Sequence, residues 1–194
     1  MAVGALLLAT AACRVEPPPE QDYVARVEAT RLAKDAVLLK ESDVVPENLK
    51  KELLPLSYFP VNPSFNVPAE LKAIKDAEPI EMAYSTGEVQ QMRRAGTLEF
   101  SVNGQPLKLT AFVEATRPNR LFVPFRDRTS ETETYHTGRF LDLDRTPTGL
   151  YELDFNLAYN PNCYFSPLYS CPIPPRENDL QVDIQAGEKI KPKS

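Results

Sequence analysis

The sequence predicts a mainly β domain, an antiparallel β-barrel or sandwich with one N-terminal amphipathic helix packed on it. Three observations support this fold class. From residue 67 onward apolar and polar residues alternate with a period of two, the pattern of half-buried strands. The chain holds 19 prolines against 7 glycines, which favours strands with stiff loops over a helical bundle. With 194 residues, 42% of them hydrophobic, the chain can bury one sizeable core, so we expect a single domain at residues 21–188.

The N-terminus has the features of an export signal. Its first twelve residues carry no charge and include a run of leucines. Cys13 follows directly, and Thr10-Ala11-Ala12-Cys13 resembles the bacterial lipobox, in which cleavage leaves the cysteine as the lipid-bearing first residue. Residues 1–13 are therefore interpreted as a signal and lipobox segment. Residues 14–20 are proline-rich and polar, which predicts an extended spacer.

This interpretation predicts a location as well as an anchor. The expected place is the cell envelope, on the periplasmic or another extracytoplasmic face, with the membrane as a partner through a lipid on Cys13. A secreted or periplasmic soluble protein with a cleaved signal is the first alternative, and a cytoplasmic protein is the second.

Residues 21–41 predict the N-terminal helix. Apolar residues recur there at three- and four-residue steps without glycine or proline, and Pro46 marks the latest end of the helix. Residues 46–54 are compatible with a second short helix. The prolines at positions 60 and 63 exclude a helix in residues 56–67 and predict an extended segment at a sheet edge or over the core.

Short strands are predicted through the rest of the chain. Asn103-Gly104 separates two alternating runs and predicts a hairpin, because both central positions of a type I′ turn need a positive φ. From Gly187 the chain should be frayed and solvated, with residues 189–194 as a disordered tail. The predicted strands lie at residues 80–85, 98–102, 107–113, 119–125, 138–143, 150–155 and 180–184.

Charge and motif content exclude several function classes. The net charge is −5, from 22 basic and 27 acidic residues, so nucleic acid is not expected as a partner. The sequence has no GxSxG, HExxH, P-loop or GxGxxG motif. Its only histidine, His136, cannot form a multi-histidine metal site, and we expect neither a metal nor a cofactor.

Cys163 and Cys171 lie in a short segment that contains several prolines. If the chain is exported and Cys13 is lipidated, these two cysteines remain, and a local disulfide is expected in an oxidising compartment. A reactive thiol or a pair of soft-metal ligands is the less favoured alternative.

Four carboxylates flank the turn at residues 145–149. If the two flanking segments pair as a hairpin, Asp142 faces Glu152 across the ladder, where like charges destabilise a sheet. Splaying into water, or pairing with Arg139 and Arg145, is favoured over a bound calcium-type cation. The four residues are Asp142, Asp144, Glu152 and Asp154.

A longer pattern resembles the DUF1684 family of bacterial and archaeal proteins. The resemblance covers roughly residues 23–188. It implies no specific activity, because the family is defined by sequence and has no established function. Many members look exported or lipid-anchored, in line with Cys13. The pattern consists of YFPVNPSF at 58–65, FVPFRD at 122–127, ETY at 133–135, GRF at 138–140, DFN at 154–156, AYNP at 158–161, and then Cys163, Tyr169, Cys171-Pro172 and Glu177-Asn178.

The polar residues at these motif positions are candidates for a ligand-binding site, because a few directed polar groups among aromatic walls are typical of small-ligand pockets. Arg126 and Arg139 would suit a carboxylate or phosphate ligand. The alternative is structural, with the asparagines forming turns and Asp127 pairing with Arg139. The candidates are Arg126, Asp127, Tyr135, Arg139, Asn156, Asn160, Glu177 and Asn178.

Three functions are consistent with these observations. The first is an envelope-anchored β domain that binds a small-molecule or envelope-polymer ligand, with residues 154–178 as one wall of the site. The second is a hydrolase of an envelope or imported substrate with Asp154, Glu177 or Tyr135 as acid or base, which predicts a motif carboxylate buried in a cleft with a raised pKa. The third is an interaction module in an envelope complex, which predicts a flat exposed aromatic patch around Tyr164, Phe165 and Tyr169.

Overall fold

The computed structural model describes residues 20–41, 43–75, 79–114 and 116–191. The expectations for residues 1–19, which include the lipobox and most of the spacer, lie outside these ranges, as do residues 192–194. The described helices are α1 (Glu20–Lys40) and the four-residue α2 (Lys50–Leu53). The described strands are β1 (Asn66–Ala73), β2 (Pro79–Ala83), β3 (Val89–Val102), β4 (Gln105–Val113), β5 (Arg120–Phe125), β6 (Arg139–Asp144) and β7 (Leu150–Asp154).

Six of these strands form a nearly closed antiparallel barrel. Their order is β6-β5-β4-β3-β1-β7, and β2 extends the sheet by pairing with the first part of β3. The helix α1 lies over the gap between the two ends of this order, where the Tyr23 hydroxyl donates to the Asp154 carboxylate of β7 at 2.9 Å. The predicted fold class, a mainly β protein with an N-terminal helix packed on a barrel, is confirmed.

The hairpin at Asn103-Gly104 is confirmed. It joins β3 to β4, and Val102 lies opposite Gln105 in the register of the two strands. The two turn residues have φ values of 50° and 78°, the left-handed conformations that asparagine and glycine adopt at low cost. This pairing is therefore encoded by neighbouring residues alone.

Strands β6 and β7 do not pair with each other, so the hairpin considered around residues 145–149 is not formed. β7 pairs with β1 instead, with Asp154 opposite Asn66. The outer edge of β6 is occupied by Tyr159, which exchanges backbone hydrogen bonds of 2.9 and 3.0 Å with Phe140. Because both strands find other partners, Asp142 does not face Glu152 across a ladder, and a cleft lies between them.

The helix α1 contacts the barrel through few side chains. Tyr23, Val27 and Leu38 are its buried residues, and the Arg31 guanidinium donates to the carbonyl oxygens of Phe59 at 2.9 Å and Asn156 at 3.2 Å. The predicted helix is confirmed, and it begins one residue earlier than expected. Among the described helices, none combines the length and the apolar character needed to cross a membrane.

The chain after β7 wraps the barrel without adding a described strand, so the strand expected at residues 180–184 is wrong. Instead, Leu180, Ile184 and Ala186 enter the barrel core. On the outer face of the sheet, Cys171 packs in a second apolar cluster with Phe122 and other residues. Residues of β5 point into both cores, so the strand is buried on both faces. The second cluster consists of Met82, Met92, Phe112, Phe122, Phe140 and Cys171.

The expectation of a frayed chain from Gly187 is wrong for the residues that the structure describes. Gly187 is buried, and the side chain of Glu188 is only 2% exposed. The backbone amides of Lys189 and Ile190 donate to Ser57 and Glu133 carbonyl oxygens at 2.8 and 3.0 Å. The chain end is therefore docked through to Lys191, whose amide donates to the Tyr164 hydroxyl at 2.9 Å.

Candidate functional site

Arg139 and Asp127 form a buried ion pair that is closed to ligands. Their side chains are 0% and 1% exposed, and Nη2 of Arg139 lies 2.8 Å from Oδ2 of Asp127. The guanidinium also donates to the carbonyl oxygens of Ile184 at 2.8 Å and Glu188 at 3.3 Å, and to that of Ala186. Burial lowers the pKa of Arg139, and the charge of Asp127 opposes that shift. The pair therefore clamps residues 184–188 to β6, as the structural alternative predicted.

Three of the predicted asparagines hold loops in the same way. The Asn178 amide donates to the carbonyl oxygens of Thr110 at 2.9 Å and Pro124 at 2.7 Å, and its oxygen accepts from the Thr110 amide at 2.7 Å. Asn156 bonds to both backbone groups of Asn62 at 2.9 Å. Asn160 donates to the Lys189 carbonyl oxygen at 3.2 Å. All three are at most 2% exposed and secure the fold, and Asn156 also lines a small pocket beneath α1.

The other predicted site residues do not converge on one cavity. Arg126 pairs with Glu131 at 3.2 Å on the surface, and Glu177 pairs with Arg94 at 2.6 Å at another exposed position. Tyr135 is half-buried, and its hydroxyl donates to the Cys163 carbonyl oxygen at 3.3 Å. Of the eight candidates, five therefore lie in buried clamps and two in surface ion pairs, while Tyr135 bonds to the backbone of Cys163.

The exposed aromatic patch that would mark an interaction module is not formed. Phe165 is only 3% exposed and packs in a cluster with Leu38, Val45 and Leu56. The rings of Tyr135 and Phe165 both contact Tyr164 edge-on, with centroids 5.3 and 4.9 Å apart. These aromatic residues connect α1 to the chain that follows the barrel, so their role is internal packing.

The principal concavity near the motif lies where the barrel fails to close, between α1, β6 and β7. It has a volume of about 520 Å³. Its walls carry four carboxylates but one basic side chain, that of Arg26, together with the aromatic rings of Tyr23 and Tyr151. We call it the helix cleft. Its lining residues are Tyr23, Arg26, Val27, Thr30, Leu141, Asp142, Leu143, Asp144, Thr146, Tyr151, Glu152, Asp154 and Leu157.

The carboxylates of the helix cleft differ in the number of hydrogen bonds that they accept from protein donors. Both oxygens of Asp154 accept from the Tyr23 hydroxyl at 2.9 Å, and one also accepts from the Asn156 amide at 2.9 Å. Burial raises the pKa of Asp154, while these hydrogen bonds oppose the shift. Because the Tyr23 hydroxyl bridges both oxygens and the Asn156 amide binds one of them, Asp154 positions α1.

Asp142 remains partly available. Its Oδ2 atom lies 3.2 Å from Arg117 and accepts from the Tyr159 hydroxyl at 3.1 Å. Its Oδ1 atom is buried and has no hydrogen-bond partner among the residues that the structure describes. Within those residues no group of three or more potential ligands is arranged to hold a metal ion. Asp142 thus carries a buried acceptor that no described donor satisfies.

A smaller pocket of about 100 Å³ continues beneath α1, and it shares Thr30 and Leu157 with the helix cleft. Glu188 lines it, fully buried, with its carboxylate bonded to Lys34 and to the Asn160 amide at 2.8 Å. Burial raises the pKa of Glu188, and the charge of Lys34 opposes that shift. The buried hydroxyl of Tyr58, another lining residue, has no hydrogen-bond partner within the described ranges.

The helix cleft was not predicted from the sequence, although the sequence contains one indication of it. The four carboxylates around residues 145–149 are visible in the sequence, but a hairpin between their two segments would put them on a paired ladder and not on the walls of a cleft. The expected partners are also different, since Arg139 is buried with Asp127 and Arg145 donates to the Pro118 carbonyl oxygen at 3.2 Å. Asp142 instead pairs with Arg117 and lies 3.8 Å from Arg120.

Cys163 and Cys171 lie side by side as free thiols, and the expected disulfide is not formed in this structure. The Cys163 amide donates to Sγ of Cys171 at 3.0 Å. Cys171 is buried and Cys163 is half-buried. The sequence therefore predicted that the two cysteines lie close together, but it did not predict that both are thiols in this structure.

Comparison with known proteins agrees with the resemblance seen in the sequence. The fold is similar to the solution NMR structure of an uncharacterized protein of Haloarcula marismortui, with a TM-score of 0.68 and 31% sequence identity over 88% of this chain and 95% of that chain. No curated protein matches the chain. The family model DUF1684, described as a protein of unknown function, matches residues 51–189, from α2 to the docked chain end. On the strength of both matches, this chain belongs to the DUF1684 family.

Proposed function

We propose that this protein is a cell-envelope lipoprotein whose barrel binds a small or polymeric ligand in the helix cleft. The observation that carries the binding proposal is the gap between β6 and β7, which is roofed by α1 and lined by four carboxylates and Arg26. Two of these carboxylates, Asp142 and Asp144, are paired with Arg117 and Arg120. Residues 151–159 supply one wall of the cleft and of the pocket behind it. The first part of the motif segment would thus form a wall of the site.

The lining indicates the chemistry of the ligand. Ionised carboxylates only accept hydrogen bonds, so the cleft favours hydroxyl and ammonium donors and disfavours anions. Tyr23 and Tyr151 offer ring faces on which a sugar or an aliphatic amine can pack. The proposed ligand is therefore an amine-bearing, hydroxyl-rich molecule such as an amino sugar or its polymer, in place of the carboxylate or phosphate that the two arginines suggested.

Binding is favoured over hydrolysis because of the state of the buried carboxylates. A hydrolase needs a carboxyl group that can reach its substrate. Asp154 has the raised pKa that such an enzyme predicts, but Tyr23 and Asn156 occupy its oxygens. Glu177 is paired with Arg94 on the surface. Neither residue is therefore placed as a free acid or base.

A matched pair of oligosaccharides tests the binding proposal. Glucosamine oligomers carry ammonium groups, whereas N-acetylglucosamine oligomers of the same length are neutral. Titration calorimetry should show binding of the glucosamine oligomer at least about tenfold tighter than that of the acetylated one, a difference of about 1.4 kcal/mol. Absence of binding by either oligomer would count against this ligand class.

Variants locate the site. Glu152→Gln on the cleft wall should weaken the glucosamine oligomer, and Leu157→Arg should weaken it more, because it adds bulk and positive charge where Leu157 is 43% exposed. Glu81→Gln makes the same charge change at an exposed position on β2 that does not line the cleft, so it should bind like the wild type. Equal effects of Glu152→Gln and Glu81→Gln would place binding elsewhere.

The lipoprotein part of the proposal is tested separately. Cells that express the full chain are grown with an alkyne-tagged fatty acid and then fractionated. The wild type should carry the tag and sediment with membranes, whereas Cys13→Ser should lose both properties. Cys163→Ser is the matched control and should keep both. An untagged, soluble wild type would reject the anchor without affecting the helix cleft.

A further inference from the structure

The two cysteines are held in a defined arrangement by three parts of the chain. Cys163 belongs to the short 3₁₀ turn Asn162–Tyr164, and its amide donates to Sγ of Cys171 at 3.0 Å. Cys171 is fixed to the chain after β2, because its amide donates to the Ser85 hydroxyl at 3.1 Å and its carbonyl oxygen accepts from the Ser85 amide at 2.8 Å. The two sulfur atoms therefore stay together without a covalent bond.

The two thiols differ in exposure. Cys171 is 4% exposed and belongs to the outer apolar cluster, whereas Cys163 is half-buried and packs against the edge of that cluster. Leu168, between them in the chain, is 91% exposed at the tip of the connecting loop. Cys163 is therefore the more exposed residue of the pair.

The surroundings of the two thiols also separate their acidities. A hydrogen bond from the Cys171 thiol, followed by those from Tyr135 and Ser85, lowers the pKa of Cys163 to about 7 against the opposing effect of burial. The same contact with Cys163, together with burial, raises the pKa of Cys171. Burial raises the pKa of Tyr135 to about 12, and Tyr84 is a further titratable group beside Cys171. Near neutral pH the thiolate therefore forms on Cys163 and not on Cys171.

We propose that Cys163 and Cys171 form a thiol–disulfide exchange site, with Cys163 as the attacking thiol and Cys171 as the resolving thiol. Its substrate class is an accessible disulfide of a small thiol compound or of another protein. This site is separate from the helix cleft and does not depend on the ligand proposed there.

The exchange is balanced in two steps. In the first, the Cys163 thiolate attacks one sulfur of the substrate disulfide, and a mixed disulfide forms while the other substrate sulfur leaves as a thiolate. In the second, Cys171 loses its proton and attacks Sγ of Cys163, which releases the second substrate thiolate. The substrate disulfide is reduced to two thiols, and the two cysteines are oxidised to one disulfide. The protons of Cys163 and Cys171 go, through solvent, to the two leaving thiolates.

Oxidised glutathione is the probe for the test. The full chain is used with Cys13→Ser, so that two cysteines remain, and intact mass is followed with time. The reduced protein should lose two hydrogens as the internal disulfide forms, and excess reduced glutathione should restore them. With Cys171→Ser added, the glutathione adduct should accumulate on Cys163. With Cys163→Ser added, an adduct on Cys171 should form at least about tenfold more slowly, because that thiol is buried and less acidic.

A measurement on the unmutated chain covers the case in which a cysteine variant does not fold. Brief alkylation with iodoacetamide followed by peptide mapping should modify Cys163 well before Cys171. Equal adduct rates for the two single variants, or equal alkylation of the two cysteines, would overturn the assignment of roles. An internal disulfide that excess reduced glutathione does not reopen would show a structural cross-link and overturn the exchange proposal.

Discussion

Arg139→Met tests whether the buried ion pair holds the end of the chain on the barrel. The substitution keeps a long apolar side chain but removes the partner of Asp127. It also removes the donors to the carbonyl oxygens of Ile184, Ala186 and Glu188. Asp127 would keep only the Thr129 amide and hydroxyl, at 2.8 and 2.5 Å, and a weaker contact with the Ile184 amide at 3.4 Å.

The expected cost follows from this loss. Removing one member of a buried ion pair destabilises a protein by about 3–5 kcal/mol, because a charge is left buried without its partner. Unsatisfied buried carbonyls cost about 1–3 kcal/mol each when water cannot reach them, so we expect the upper end, about 5 kcal/mol. For a domain of this size that corresponds to a fall in Tm of about 10–20 °C. Arg139→Lys, which keeps the charge but loses the planar fork, should cost about half as much.

The assay is urea unfolding followed by far-UV circular dichroism, which suits a protein without tryptophan. Arg126→Met is the matched control, because Arg126 and its partner Glu131 are 34% and 66% exposed and such pairs contribute less than about 1 kcal/mol. Equal losses for Arg139→Met and Arg126→Met would refute the clamp. If Arg139→Met yields no folded protein, the comparison of Arg139→Lys with Arg126→Met decides the question.

Three further predictions use single contacts. Gly187→Ala should lower the free energy of unfolding by several kcal/mol more than Gly104→Ala does. The two glycines have nearly equal φ values, 79° and 78°, but of the two only Gly187 would place a Cβ 2.6 Å from a carbonyl oxygen. Equal costs for the two variants would contradict the predicted clash. The pKa of Glu188 is raised in the fold, so its stabilising contribution is present below its ordinary value of 4.5 and is lost as pH rises through the raised pKa. Glu188→Gln should therefore gain stability relative to the wild type as the pH rises above about 4.5 in urea unfolding, and a pH-independent difference would contradict this sign. Alkylation of Cys163 should reach half its maximal rate near pH 7, and Tyr135→Phe should move that midpoint upward, whereas an unchanged midpoint would remove Tyr135 from the site.

The structural roles of the motif residues could be predicted in part from the sequence. The sequence indicates the pairing of Asp127 with Arg139 as an alternative, and the structure has that pair. The asparagines differ from the expected turns, because Asn178 binds the backbone of Thr110, far away in the chain. What the residue types could not indicate is which arginine is buried. Arg126 and Arg139 have similar neighbours in the chain, yet one side chain is 34% exposed and the other is 0% exposed. That difference is made by residues 184–188, which lie more than forty positions further along the chain.

The sequence by itself determined the elements whose geometry depends on neighbouring residues. The hairpin follows from two residues that tolerate positive φ, and the helix and most strands follow from the spacing of apolar residues. The cysteine pair was found because a short segment can bring its own ends together.

Only the tertiary structure decided how the barrel closes. A short turn joins β6 to β7, but the two strands do not pair, because β7 pairs with β1 and Tyr159 pairs with the edge of β6. The partner with which a strand pairs depends on the burial and the hydrogen bonds of residues far apart in the sequence. A local sequence pattern does not contain this information. Long-range contacts of this kind also produce the helix cleft, the burial of Arg139 and the docked chain end.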